Sequence, residues 1–213
     1  MVRISNLIIK NDILYYNIME TLIIHISGAS GSGKTTLGNK IKDQFKRKII
    51  VKDLDILRDE FIKDFYGNKK WTYIDENEYQ SYIDSYINEQ KKPIIFVGLN
   101  DNTVYGKNKN LYYNVHSQYN YYIDIDDMII VKQKCIRLLN DIQTDKMAME
   151  DLIINNEKFV KRFTDAIKIE CSAKQIIKQN NKWKKNYEKQ GYKFMSRENI
   201  YKSVVKILNN KLK

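Results

Sequence analysis

The stretch ISGASGSGKTTLGNKI, residues 26–41, decides how the rest of the chain is read. From Gly28 to Thr35 it fits G-x-x-x-x-G-K-[ST], the phosphate-binding P-loop pattern. Small residues let consecutive backbone N–H groups curl around phosphate oxygens. Gly28, Ala29, Ser30, Gly31, Ser32, Gly33 and the following Thr36 are therefore candidate nucleotide contacts. Lys34 is the candidate counter-charge for the β- and γ-phosphates, and Thr35 the candidate hydroxyl for Mg2+. Context supports the motif. Before it, TLIIHIS (residues 21–27) has the length and apolar character of a buried parallel strand. After it, Leu37, Ile41 and Phe45 recur every four residues. A helix therefore starts in the loop and directs its unpaired N–H groups and positive dipole end at the anion. Strand, loop and helix in this order separate the motif from a glycine-rich turn with an accidental lysine, and the ligand implied is a nucleoside triphosphate.

Outward from the motif, apolar runs alternate with helical stripes. KIIV (48–51) reads as a second buried strand leading to Asp53 and Asp55. Leu57, Phe61 and Phe65 mark a helix that Gly67 closes. DENE (75–78) resembles a helix cap, followed by Tyr79, Ile83 and Tyr86 or Ile87 at helical spacing. Pro93 ends that helix, and IIFVGLND (94–101) supplies a third strand and its exit loop. A polar, tyrosine-bearing connection covers 102–118, and YNYYIDIDD (119–127) makes a fourth strand. Ile129, Gln133 and Ile136 give a mixed stripe, expected to be helical through Leu139 and to give way to a polar loop over 140–146. Phe159, Phe163 and Ile167, then Ile176, Ile177 and Trp183, predict two helices parted near Ser172. YKFMS (192–196) is a short strand, and Ser196 caps a last helix with Ile200, Val204, Ile207 and Leu208 facing inwards. This alternation predicts a parallel sheet covered by helices on both faces, a three-layer α/β fold.

The 213 residues, 43% of them hydrophobic, suffice for one α/β core. The expected organisation is an N-terminal extension at 1–20 and one domain at 21–213. No apolar run approaches the roughly 20 residues that span a bilayer, and the N-terminus lacks the zones of a signal peptide. A cytoplasmic chain with no membrane partner is the expectation. Cys135 and Cys171 have no metal-like spacing and are expected to be buried, reduced thiols. The net charge of +11 attracts polyanions, and lysines thicken over 174–193. Lysine, asparagine, isoleucine and tyrosine also share AT-rich codons, and a charge run is more often a solvated helix face. Nucleic acid is thus a possible but unfavoured partner, and oligomeric state is open.

With these residues placed, the chain resembles the P-loop kinases of small molecules, a group that takes in nucleoside monophosphate, shikimate, gluconate and polynucleotide 5′-hydroxyl kinases. The resemblance follows element order over 21–208, with 28–35 its specific motif. It implies five parallel strands ordered two, three, one, four, five, with ATP and Mg2+ as cofactors. It also implies an acceptor over the ends of the second and third strands and a lid after the fourth, about 140–162. KDLDILRDEF (52–61) resembles the acceptor side, where one carboxylate of an Asp-x-Asp approaches the metal shell and another binds an acceptor hydroxyl. A hydroxyl must lose a proton as it attacks phosphorus, whereas a phosphate dianion need not. Asp53 is the candidate base, with a place at the metal. Asp55 is the candidate hydroxyl or metal-shell ligand, its rival role being a plain helix cap. Arg58, similar to the Leu-Arg of nucleoside monophosphate kinases, offers a planar fork for an acceptor phosphate.

At the third strand VGLND lacks the Asp-Gly-aromatic-Pro-Arg of those monophosphate kinases, and the missing arginine weighs against that acceptor. Gly98 permits close approach of a ligand to backbone, and Asn100 and Asp101 are candidates for acceptor or water-bridged Mg2+. VKQKCIRLL (131–139) offers Arg137 as a nucleotide or phosphate contact, with Lys134 one turn earlier. Lys146, Lys158 and Arg162 are the lid candidates for the γ-phosphate, where charge neutralisation is much of the catalysis. No Asn-Lys-x-Asp tetrad is present to read guanine, which favours ATP, and IIFVG lacks the acidic end usual in motor ATPases. His25 falls inside a core strand and His116 in a polar connection. The resemblance therefore implies an ATP- and Mg2+-dependent phosphotransferase acting on a small hydroxyl or phosphate acceptor, such as a nucleoside, nucleotide or related metabolite. A polynucleotide 5′-hydroxyl kinase and a non-catalytic ATP-binding regulatory module are the alternatives.

Overall fold

The computed structural model describes residues 21–67, 74–102, 111–144 and 156–213. The expected extension at 1–20, the middle of the expected lid region and Lys146 lie outside them, as do the side chains of Asp101 and Lys158. The strands are β1 (Ile23–Ser27), β2 (Ile50–Asp53), β3 (Ile94–Val97), β4 (Asp101–Asn102), β5 (Leu111–Tyr112), β6 (Tyr119–Ile123) and β7 (Lys193–Met195). The helices are α1 (Lys34–Phe45), α2 (Leu54–Tyr66), α3 (Glu76–Asn88), α4 (Asp127–Thr144), α5 (Asn156–Glu170), α6 (Ala173–Lys189) and α7 (Arg197–Lys211). Five strands form a parallel sheet in the order β2-β3-β1-β6-β7, with helices on both faces. Counting those five alone, the order is second, third, first, fourth, fifth, the order that the resemblance to the P-loop kinases implies. The short β4 and β5, which the sequence pattern did not separate from a polar connection, pair antiparallel as a ribbon of their own.

Two compact units emerge. Of the described residues, the first comprises 21–27, 34–67, 74–102, 111–121 and 198–213. Its register sets Ile50, Ile94 and Ile23 in one row and Asp53, Val97 and Ile26 in another, so three strands end level and deliver their exit loops to one edge. Ligands gather at this carboxyl edge in open α/β sheets. Helix α1 buries Leu37, Gly38, Ile41 and Phe45 as the four-residue spacing predicts. A Cβ on Gly38 would stand 3.0 Å from methyl carbons of both Val51 and Val97, so the helix rests directly on β2 and β3. Asp53 caps α2, and Gly67 ends it in the left-handed conformation, its N–H donating to the Lys63 carbonyl. Asp75 caps α3 through the N–H groups of Asn77 and Glu78. Tyr79, Ile83 and Ile87 then face the core, with the Phe61 ring 5.0 Å from that of Tyr79. Phe65, expected on the inner stripe of α2, is instead 56% exposed, although its ring lies tilted 4.6 Å from that of Phe61. Tyr66, the last residue of the helix, packs against the core in its place.

The second unit comprises, of the described residues, 28–33, 122–144 and 156–197. Here α4 runs on to Thr144, so the loop expected from residue 140 begins later. Its buried residues are Ile130, Val131 and Leu138, whereas Ile129 and Ile136 are 45% and 46% exposed. Two apolar stripes one residue apart were available on this helix. Packing of Ile130 and Val131 with Ala29 and Ile176 selects the one that periodicity did not. The break near Ser172 separates α5 from α6 as predicted. Helix α6 is anchored by Ile176, Asn180 and Tyr187. The Tyr122 hydroxyl donates to Asn180 Oδ1 at 3.0 Å, Asn180 Nδ2 donates to Asp127 Oδ1 at 2.5 Å, and Lys184 pairs with Asp124 at 2.8 Å. Cys135 and Cys171 form no disulfide among the described residues and are half-buried rather than buried. No helix among the described residues is long and apolar enough to cross a membrane.

Candidate functional site

In the first unit, the end of β2 meets the start of α1. Thr35, eighteen residues from Asp53 in sequence, donates its hydroxyl hydrogen to Asp53 Oδ2 at 3.0 Å. The other carboxylate oxygen, Oδ1, accepts the Asp55 N–H at 3.0 Å and so caps α2. Both oxygens of Asp53 are thus engaged, one on each helix. Lys34 opens α1, and its charge is felt inside the sheet at His25.

Asp55 turns the other way. Its Oδ1 accepts from Arg58 Nη1 at 3.1 Å, one turn along α2, while Arg58 Nη2 donates to Asp59 at 3.4 Å. The guanidinium is nearly buried, its side chain 8% accessible, while Asp55 and Asp59 stay 61% and 71% accessible. A buried guanidinium requires paired carboxylates, because it cannot shed its charge. Burial pushes the Tyr79 phenol well above its ordinary pKa, and the Arg58 charge pulls it part of the way back. Counting Asp53, the cluster holds three carboxylates against one guanidinium.

The loop after β3 is held from several sides. Gly98 has φ +142, and a Cβ there would stand 2.8 Å from the Leu54 Cβ, the first residue of α2. The Gly98 carbonyl accepts from His25 Nε2 at 3.1 Å. Asn100 is buried, its Nδ2 donating to the Tyr113 carbonyl at 3.3 Å, and the Tyr113 hydroxyl donates to the Leu99 carbonyl at 2.8 Å. Gly98→Ala is therefore expected to drive Leu54 and the start of α2 outwards. The clash is with a Cβ that has no rotamer to escape into, and the cost is about 2–3 kcal/mol. Thermal unfolding should show a fall of roughly 5–10 °C.

His25 carries a second stability prediction. Complete burial lowers its pKa from 6.5 to about 4, the hydrogen bond to Gly98 opposing the shift and the Lys34 charge adding to it. In the folded protein the ring stays neutral and donates from Nε2. Between pH 6.5 and 4 the unfolded chain takes up a proton here that the folded chain refuses, so stability is complete above 6.5 and falls as the pH drops towards 4. A depression of this size corresponds to about 3 kcal/mol. His25→Gln keeps an N–H donor but removes the titration, so its denaturant midpoints at pH 7 and pH 4.5 should lie closer together than those of the parent.

In the second unit, residues 28–33 form a tight turn in which the Ser32 N–H donates to the Ala29 carbonyl at 3.0 Å. The Ser32 hydroxyl is buried without a hydrogen-bond partner among the described residues. Gly33 has φ +84, and a Cβ there would meet Arg197 Nη1 at 2.8 Å; one on Gly31 would meet Lys134 Cγ at 3.5 Å. Two basic side chains thus border the loop. In the sequence Lys134 stands out only as a neighbour of Arg137, and no motif points to Arg197. The available signal for Arg197 was its position between the last strand and the last helix, a junction of the kind where such sites collect. Arg137 itself is 72% accessible, with its Nε 3.6 Å from Asp141 Oδ2, and Arg162 lies exposed on α5.

These residues suit a nucleotide with its metal. Thr35 and Asp53 are an oxygen pair of the kind Mg2+ takes, and no group of three acidic, histidine or cysteine side chains among the described residues would build a protein-only cage. Mg2+ characteristically completes such a partial set with phosphate oxygens and water.

No family model matches the chain, and no curated relative matches it. Among solved structures, shikimate kinase from Acinetobacter baumannii in complex with shikimate aligns over 91% of this chain and 97% of that one, with 15% identity and a TM-score of 0.40.

Proposed function

We propose that the protein is an ATP- and Mg2+-dependent phosphotransferase whose acceptor is a small molecule bearing a hydroxyl group. The observation that carries this reading is the Thr35–Asp53 hydrogen bond, which joins the metal-side hydroxyl of the glycine loop to an Asp-x-Asp at the adjacent strand end. Residues 28–36 hold the triphosphate through main-chain N–H groups, Lys34 sets its charge against the outer phosphates, and Thr35 with Asp53 holds the metal. When bound, Mg2+ would supply charge neutralisation on the phosphate oxygens.

Of the two aspartates, Asp55 is assigned as base. Asp53 has both oxygens committed, whereas Asp55 has one oxygen on Arg58 and is largely open to solvent. This reverses the preference drawn from the sequence, where Asp53 was the candidate base. In the transfer, the acceptor hydroxyl oxygen bonds to the γ-phosphorus as the bond to the β-γ bridging oxygen breaks. Asp55 takes the hydroxyl proton and ADP departs. Arg58 fixes Asp55 in place, and Gly98 and Asn100 form the acceptor wall. The charge balance favours a hydroxyl over a phosphate acceptor, since a dianion would face three carboxylates with one guanidinium already shared. Lys134 and Arg197 are assigned to the nucleotide side. Arg137 stays a phosphate contact in this proposal only if it exchanges Asp141 for the ligand.

The test is ADP release from Mg2+-ATP across a panel of sugars, nucleosides, hydroxy acids and nucleoside monophosphates. Stimulation by a hydroxyl compound supports the reading. Tight ATP binding with no acceptor stimulation would replace it with a non-catalytic nucleotide-binding module.

A further inference from the structure

We propose that the outward face of α6 is a docking strip for the phosphodiester backbone of a nucleic acid. Lys174, Lys178, Lys182, Lys185 and Lys189 are all exposed. At 100° per residue these positions fall within an arc of about 80°, and at 1.5 Å per residue they extend over roughly 22 Å. That is the axial length of some six nucleotides of one strand at about 3.4 Å each. A shallow depression of the same face is lined by Lys174, Lys178, Lys182 and Lys185 with Ile177 and Asn181.

The arrangement differs from that of a solvated helix laced with ion pairs. None of the five lysines pairs with a carboxylate among the described residues, whereas Lys184, just off the strip, is taken up by Asp124. Glu188 is the one acidic residue of the helix. Like charges four residues apart repel, so the strip weakens its own helix unless a polyanion lies along it. The opposite face keeps the helix in place through Ile176, Asn180 and Tyr187, which presents the charges on a rigid element.

The chemistry of the strip selects the polyanion. No large exposed apolar side chain lies on α6, so the helix has nothing to insert into a bilayer. Nor does the strip offer an aromatic ring on which a base could stack, Trp183 being packed with Ile130 and Ile176. Contacts are therefore to phosphates, and recognition is indifferent to sequence. The strip stands independently of the acceptor chosen in phosphotransfer.

Fluorescence anisotropy of the full chain with a labelled single-stranded oligonucleotide, titrated over a range of salt concentrations, tests this. Five phosphate contacts at about 0.7 each give a slope of log affinity against log salt near −3.5. Combined Lys178→Gln, Lys182→Gln and Lys185→Gln should flatten that slope by about 2 and weaken low-salt binding at least tenfold. The matching Lys→Arg variant should bind like the parent. Lys202→Gln, Lys206→Gln and Lys211→Gln, an equal charge change on α7, should leave the slope nearly unaltered. Circular dichroism melts establish that each variant folds; if the triple glutamine variant does not, Lys182→Gln alone should flatten the slope by about 0.7. Equal losses from the α6 and α7 variants would reduce the effect to net charge and overturn the proposal. So would absence of binding at low salt, or binding to phosphatidylserine vesicles by a protein that ignores the oligonucleotide.

Discussion

Lys34→Ala should lower phosphotransfer, measured as kcat/KM for the acceptor that responds best, by roughly 10³-fold, the scale on which removing charge from a transferring phosphoryl group acts. The main-chain donors of residues 28–33 survive the change, so ATP affinity should weaken less than the rate. Lys34 is half-buried at the start of α1, outside the set of buried apolar residues, and thermal unfolding should shift little. One side effect is specific. The Lys34 charge helps to keep His25 deprotonated, so the variant should take up its proton at a somewhat higher pH, narrowing the acid window over which stability is lost. Turnover equal to the parent's would take Lys34 out of the transfer, and a parent protein that takes up no ATP would remove the nucleotide from the reading altogether.

Asp55→Asn should cost about 10²–10⁴-fold in kcat with ATP affinity nearly intact, because an amide cannot take the hydroxyl proton. The asparagine Oδ1 still accepts from Arg58, and Asp59 remains beside the guanidinium, so the loss should not come from unfolding. Asp53→Asn should behave differently. It leaves the Thr35 hydroxyl and the first turn of α2 with a weaker acceptor, and it should raise the Mg2+ concentration needed for half-maximal rate. Rates measured for both variants across a Mg2+ series separate the roles. An Asp55→Asn variant of parental kcat, beside an Asp53→Asn variant that no Mg2+ concentration restores, would return the base to Asp53.

Much of the architecture was legible because local chemistry and global fold agree. Asp75 and Gly67 sit where a cap and a left-handed terminus were expected, and Leu37, Ile41 and Phe45 bury the face their spacing predicts. Helix α4 was misread in two ways for one reason. It carries apolar residues on adjacent stripes, and its polar end at 140–144 reads as loop, so only contact with Ala29 and Ile176 decides which face turns inwards. At the candidate site, residue types were legible and partnerships were not. That Asp53 holds Thr35 while Asp55 holds Arg58 depends on which way two side chains leave neighbouring positions. Arg197 reaches Gly33 from the far end of the chain, a proximity that no local pattern encodes.

The Thr35 hydroxyl has already given its one hydrogen to Asp53. Its lone pairs are what it turns to everything else, so an arriving cation would find a donor atom oriented in advance and would not have to wait for a rotor to swing round. A group already ordered gives up less freedom when the cation binds, and that saving appears as affinity. The same hydrogen also tethers the loop's helix to the cap of the next one, so whatever dislodges that cap should be felt first as looser metal and only afterwards as slower catalysis.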